Sequence, residues 1–387
     1  MKIGIITFWV WDENYGSQLQ CFALQQVLKR MGHLPFLIRK TDPLLPPKKF
    51  SISMLLCRYI CAILHPRRTL DGIRKRRECR SRAFPDFREK FISRSEKKYS
   101  SIWDLRKDCP QADAYLTGSD QVWNCFSQDE EGKAWFLDFT PQGAPKISYA
   151  ASVGKNRSDE ESICFMRPLL SQFTAISVRE KEGISICARA GRSDAVQVCD
   201  PTLLLTKSDY QRVLNFSRKS NRKGVFVYAL NLESKEDFCW DIVEGFAKER
   251  LYKLNVVPAQ KKSRMVLPRR YFFFPNVLEF LSAIENSACV VTNSFHGVVF
   301  SIIMERPFLA ILQRGETRTT NNRITGFLSA LGLSGRIYEG GDFSAAMDAP
   351  IDWASVREKL SVLRERSLEF LRTALAKCEE EIRKGRS

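Results

Sequence analysis

Short apolar runs alternate along the chain with segments whose apolar positions recur at helical spacing, the pattern of strands feeding helices. Lys2–Val10 reads as a first strand, Gln18–Met31 as an amphipathic helix ending at Gly32, and His33–Arg39 as a second strand. This βαβ opening predicts a parallel sheet. Further strands are expected at Ala114–Thr117, Lys146–Ala151, Ala175–Val178 and Val196–Cys199, with a helix over Glu160–Gln172. The polar stretch Ser217–Lys223 reads as a linker. A second series then begins, with strands Gly224–Leu230, Leu251–Val257, Cys289–Thr292 and Phe308–Leu312. Helices are expected between them over Lys235–Glu249, Val277–Asn286 and Phe295–Met304. Trp353–Lys384 predicts one long helix with Val356, Leu360, Leu363, Leu371 and Cys378 on its apolar side. It has no partner adjacent in sequence and is expected to pack back across a domain.

The order implies α/β architecture, two Rossmann-like domains with a cleft between them and a crossing C-terminal helix. The expected limits are 1–216 for the first domain, 224–345 for the second and 353–385 for the helix. The length of 387 residues suits two domains, and 44% hydrophobic against 27% charged residues excludes a disordered chain. No run of 18 apolar residues occurs, and the N-terminal apolar stretch is too short for a signal peptide. The 12 cysteines show no Cys-x-x-Cys pair and there are only three histidines, so neither a zinc site nor a disulfide framework is expected. Free thiols and a cytoplasmic location follow.

Charge changes this picture in one place. The chain carries 61 basic and 44 acidic residues, a net +17, and residues 48–82 hold eleven of the basic ones against Asp71 and Glu78. Within this insertion lies the apolar stretch Ile52–Leu64, broken by Arg58. An apolar helix between basic clusters suits the inner face of an anionic membrane, where charges meet headgroups and the apolar face inserts. A docked helix with a solvated basic face explains it equally. Nucleic acid is not expected as a partner, because no helix-turn-helix, RNP or zinc-finger pattern accompanies the charge.

Ligands of open α/β sheets bind beyond the carboxyl ends of the strands, which directs attention to four loops. Asn14-Tyr15-Gly16 follows the first strand. There Gly16 permits a tight turn, and free N–H groups at the helix start could hold an anion or a sugar hydroxyl. It lacks the Gly-x-Gly-x-x-Gly pattern of a dinucleotide site. Gly118-Ser119-Asp120-Gln121 offers hydrogen-bonding groups suited to a polyol, or else an Asx turn that caps a helix, with Trp123 read as packing. Arg179 leaves a strand beside Glu180, placed for a carboxylate or phosphate, or for an ion pair with a nearby acid. Asn293-Ser294-Phe295-His296-Gly297 places a histidine in the first turn of a helix, where it can give and take a proton.

At these loops the chain resembles the polysaccharide pyruvyl transferase family. The resemblance is carried in order by the first strand with Asn14–Gly16, by Gly118–Asn124, Ser148–Ser152 and Ser177–Glu180, by Asp200-Pro-Thr202 and by Thr292–Gly297. It spans roughly residues 1 to 335. It implies two Rossmann-like domains in a GT-B-like arrangement, and transfer of the enolpyruvyl unit of phosphoenolpyruvate onto two hydroxyls of a sugar. The product is a pyruvate ketal on a surface-polysaccharide precursor, and phosphate is released. No cofactor or metal is implied, phosphoenolpyruvate being a co-substrate. The sugar acceptor is lipid-linked or free.

Family donor-site residues match here as Arg179 and His296, with Asn293, Ser294, Phe295 and Gly297 beside the histidine. Asn14, Tyr15, Gly16, Gly118, Ser119 and Gln121 are then expected on the acceptor side. His296 is the expected acid and Asp120 the expected base. Characterised members often carry Arg where this chain has Ser294, so Arg314, Arg318 and Arg323 are expected to supply the missing charge. A GT-B glycosyltransferase using a nucleotide sugar, or a non-catalytic membrane-associated relative, would fit the same fold.

Overall fold

The structure is a computed structural model that describes residues 1–9, 14–41, 82–124, 126–153, 158–215, 224–315 and 321–386. The linker at 217–223, Arg318 and all of the basic insertion except Arg82 lie outside the described residues. Seven parallel strands form the first sheet: β1 (Lys2–Ile6), β2 (Leu34–Lys40), β3 (Arg94–Tyr99), β4 (Ala114–Thr117), β5 (Lys146–Ala151), β6 (Ala175–Val178) and β7 (Val196–Gln197). Their order is β3-β2-β1-β4-β5-β6-β7. The second sheet is also parallel and contains β8 (Gly224–Ala229), β9 (Lys253–Pro258), β10 (Cys289–Thr292) and β11 (Phe308–Ala310), ordered β11-β10-β8-β9.

Parallel strands covered by helices on both faces read as unbroken apolar runs, and β4, β5, β8 and β10 are buried along their whole length. Side-chain alternation sorts each strand between two cores. On β8, Phe226 and Tyr228 join Ile5, Leu116 and Ile147 of the first sheet in one cluster that runs between the sheets. Val225 and Val227 of β8 face outward and pack with Val256 and Val291. Ile6, Tyr115 and Ile176 form the corresponding outer core of the first sheet. The two halves therefore share a hydrophobic seam.

The last helix, Trp353–Arg386, fastens that seam. Arg357 Nη1 meets Glu305 Oε1 at 2.7 Å on the second half. Further along, Arg364 Nε donates to Leu203 O at 2.9 Å, and Thr174 Oγ1 donates to Glu381 Oε2 at 2.8 Å on the first half. Val356, Leu360, Leu371 and Cys378 are buried in the shared core, as their helical spacing predicts. Among the described residues no helix is long and apolar enough to cross a membrane.

Three local expectations change. β1 ends at Ile6, and the following helix, α1 (Tyr15–Arg30), starts three residues before Gln18. The helix expected from Lys235 is a 3₁₀ turn, Glu236–Phe238, followed by Trp240–Glu249. They are separated at Cys239, whose φ of 48° no helix continues through. β3, sequence Arg-Ser-Glu-Lys-Lys-Tyr, is a strand that apolar patterning misses, because as an edge strand it is polar.

Candidate active site

Side chains from the ends of β4 and β6 converge on one carboxylate that lies beyond β7. Asp200, which precedes the turn Pro201–Leu204, is fully buried. Its Oδ1 accepts from Thr202 N at 3.0 Å and from Thr202 Oγ1 at 2.7 Å. Its Oδ2 accepts from Ser119 Oγ and from Arg179 Nη1, both at 2.9 Å. The same oxygen faces His296 Nε2 of the second sheet at 3.6 Å. Burial raises the Asp200 carboxyl, but the His296 ring, the Arg179 guanidinium and the Thr202 hydroxyl outweigh it and hold the group far below the usual carboxylate range.

Arg179 is buried at the end of β6. Its Nε pairs with Glu180 Oε1 at 3.0 Å, its Nη1 with Asp200, and its plane faces Phe295 at 5.1 Å. Burial opposes its charge, while Glu180, Asp200 and Asp120 favour it more strongly. Glu180 Oε1 also accepts from Ser152 Oγ at 2.7 Å. Three buried polar atoms of this cluster have no hydrogen-bond partner: Arg179 Nη2, Glu180 Oε2 and His296 Nε2. A donor, an acceptor and a ring nitrogen left open together form a place for a polar ligand rather than a finished structural network.

His296 is 6% exposed and stands in the first turn of the helix Phe295–Ile303. Its ring lies against α1, and a Cβ placed on Gly16 would come within 2.0 Å of His296 Nδ1. Gly16 is thus required by the approach of the histidine. The tight turn expected there is absent, since Gly16 lies inside α1, and its N–H is taken by Asn14 Oδ1 at 2.9 Å. Asn14 Oδ1 also accepts from Ser17 N at 3.3 Å, so these N–H groups are not free for an anion or hydroxyl. Asp120 holds φ at 80°, a conformation Asp tolerates better than most residues, and its Oδ1 accepts from Gln121 N at 3.0 Å.

The remaining expected residues divide between this cluster and the framework. Ser119 belongs to the Asp200 cluster, and Gln121 Oε1 accepts from Asn124 Nδ2 at 2.7 Å. Tyr15, expected on the acceptor side, is instead an interdomain wedge. It is buried and stacked on Phe280 at 4.2 Å, with its hydroxyl donating to Pro275 O at 2.6 Å. Gly118 packs closely against Thr7, and a side chain on Gly297 would collide with Thr292. Asn293 binds the Leu230 backbone through both side-chain atoms, at 2.8 and 2.7 Å, and so ties β10 to β8. Ser294 caps its helix, its Oγ accepting from Gly297 N at 3.4 Å.

Arg314 follows β11, and Arg323 opens the helix Asn322–Leu331. Asn322 in that helix reaches Glu182 Oε1 of the first half at 3.2 Å. Trp123 is fully buried, stacked on Phe136 at 5.3 Å, as packing predicts. The residue that sequence reasoning did not select is Asp200. Its signal was an acid immediately before proline at a strand end.

A family model described as polysaccharide pyruvyl transferase matches residues 14–313, a span that holds Gly16, Asp120, Arg179, Asp200 and His296. Among solved structures the chain is similar to UDP-GlcNAc 2-epimerase from Neisseria meningitidis bound to UDP-GlcNAc. Identity is 9%, the TM-score is 0.51, and the match covers 97% of this chain and 100% of that one. It is also similar to UDP-N-acetylglucosamine 2-epimerase from Rickettsia bellii, at 10% identity and a TM-score of 0.49, covering 96% of both chains. At such identities the likeness is one of fold, the two-sheet GT-B arrangement. No curated protein sequence matches the chain.

Proposed function

The chain belongs to the polysaccharide pyruvyl transferase family, and from that premise we propose that it transfers the three-carbon unit of phosphoenolpyruvate to two hydroxyls of a sugar. The observation that carries the reading is the open cluster of His296, Arg179 and Glu180 around Asp200, at strand ends inside the matched span. One hydroxyl adds to the central carbon of the enol while the methylene carbon takes a proton and becomes a methyl group. The second hydroxyl then displaces phosphate from that carbon, its proton leaves with the phosphate, and the cyclic ketal closes.

His296 suits the first step. A histidine able to hold a proton, facing a carboxylate that stays ionised, delivers that proton to carbon, while Asp120 takes the proton of the attacking hydroxyl. Asp200 acts as the positioning residue, fixing the ring from one side while Gly16 admits it from the other. Asp120 is the base in this scheme. Arg179, balanced by Asp200 and Glu180, presents Nη2 as a hydrogen-bond donor.

The acceptor in this reading is a precursor of a surface polysaccharide, lipid-linked or free. The reaction is cytoplasmic, and the basic segment draws the enzyme to an anionic membrane face. Phosphoenolpyruvate incubated with a panel of acceptor sugars should yield an acceptor heavier by one pyruvyl unit, with one inorganic phosphate per product. Release of UDP or GDP from a nucleotide sugar without pyruvylation would replace this reading with glycosyl transfer.

A further inference from the structure

The last cation of the basic segment does not lie on the surface. Arg82 is 1% exposed and sits in the seam between the two halves. Its guanidinium faces the ring of Tyr15 at 5.8 Å and that of Phe274 at 5.3 Å, and its Nη2 donates to Pro258 O at 2.9 Å. Tyr15 opens α1 just beyond β1, and Pro258 ends β9. The guanidinium therefore lies beyond the carboxyl ends of strands from both sheets, where this architecture binds ligands.

Its bonding is incomplete. Nε and Nη1 are buried without a hydrogen-bond partner, and among the described residues no carboxylate pairs with the group. Aromatic faces and one carbonyl ease the burial of a cation but carry no counter-charge, and an ionised group buried alone is expensive. The same protein shows what a structural buried arginine looks like. Arg336, 4% exposed, gives Nε to Phe308 O, Nη1 to Ala346 O and Ala349 O, and Nη2 to Met347 O, with no nitrogen left over. Beside it, Ala83 adopts φ of 46°, a strained conformation for alanine.

We propose that Arg82 is an anion-binding residue of the cleft, receiving an oxyanion of a substrate on Nε and Nη1. For the identity of that substrate the inference rests on the pyruvyl-transfer reading, in which phosphoenolpyruvate brings both a phosphate and a carboxylate. Arg82 then supplies charge that Ser294 lacks and that Arg179, already balanced by two acids, does not offer. A diphosphate on the acceptor would present the same chemistry, and the experiment separates the two sources.

Calorimetry and thermal unfolding are run in anion-free buffer on wild type, Arg82→Met and Arg82→Lys, with phosphoenolpyruvate, inorganic phosphate and pyrophosphate as probes. Without anions, Arg82→Met should melt at or above wild type, since an unpaired buried charge is gone. Phosphoenolpyruvate should stabilise the wild type and bind Arg82→Met about 10- to 100-fold more weakly, with Arg82→Lys between them because it lacks the planar fork. Arg82-dependent stabilisation by pyrophosphate alone would keep the anion site and sink the pyruvyl reading. Unchanged affinity in Arg82→Met, no response of the wild type to any probe, or a lowered melting temperature with intact affinity would each overturn the inference. If Arg82→Met fails to fold, unchanged affinity in Arg82→Lys overturns it and weakened affinity sustains it.

Discussion

Replacing Gly16 by alanine tests the site through a single methyl group. The added Cβ would lie 2.0 Å from His296 Nδ1, 2.4 Å from Cγ and 2.5 Å from Cε1. Non-bonded heavy atoms settle at about 3.5 Å or more, so ring and helix must separate by roughly 1.5 Å. The ring has little room to yield, because Phe295 packs beside it at 5.3 Å and Asp200 stands opposite Nε2. Overpacking of this kind costs about 1–3 kcal/mol, while alanine in place of glycine inside a helix returns about 1 kcal/mol. Net stability should therefore fall by no more than about 2 kcal/mol, a few degrees in melting temperature for a chain of this size.

Activity should respond far more, since a misplacement of about 1 Å costs on the order of 10²-fold in rate. The assay is phosphate release from phosphoenolpyruvate with acceptor, read beside the melting curve and the ring resonances of His296. Wild-type turnover in Gly16→Ala, or unmoved ring resonances, would show that the glycine does not serve the histidine.

Asp200→Asn removes the charge that balances both Arg179 and a protonated His296, and breaking such a buried pair costs about 3 kcal/mol or more. Because the folded-state carboxyl titrates below its unfolded counterpart, Asp200 contributes stability that is complete above the unfolded value of about 4 and is lost as the pH falls. Urea unfolding between pH 3 and 6 should therefore show a shallower pH dependence in Asp200→Asn than in wild type. Arg179→Lys keeps the charge, but one ammonium cannot span Asp200 and Glu180 as the guanidinium does. Its melting temperature should fall together with turnover, and a rise confined to the Michaelis constant would argue against the ion-pair geometry.

The parallel strands were legible because burial on both faces favours mostly apolar runs, as in Ala-Tyr-Leu-Thr of β4 and Gly-Val-Phe-Val-Tyr-Ala of β8. β3 was not, because an edge strand is stabilised by pairing with β2 and needs no apolar face. The start of α1 was obscured by glycine, whose low helix propensity suggests a turn, although Asn14 is a good cap. His296 and Arg179 could be selected from their place at strand ends. The convergence of Ser119, Arg179 and His296 on Asp200 could not, since it joins residues far apart in sequence through the packing of one sheet against the other. Arg82 shows the same limit, because a charge run reads as solvated surface until the fold buries its last member.

The central claim is that His296 moves the proton in pyruvyl transfer, and the direct measurement is the turnover of His296→Asn with phosphoenolpyruvate and a competent acceptor. The substitution keeps a polar side chain of similar size, so the variant should melt close to wild type. Its turnover should fall by ~10²- to 10⁴-fold, and its rate profile between pH 5 and 8 should flatten. A folded His296→Asn enzyme that pyruvylates its acceptor at the wild-type rate would contradict the account.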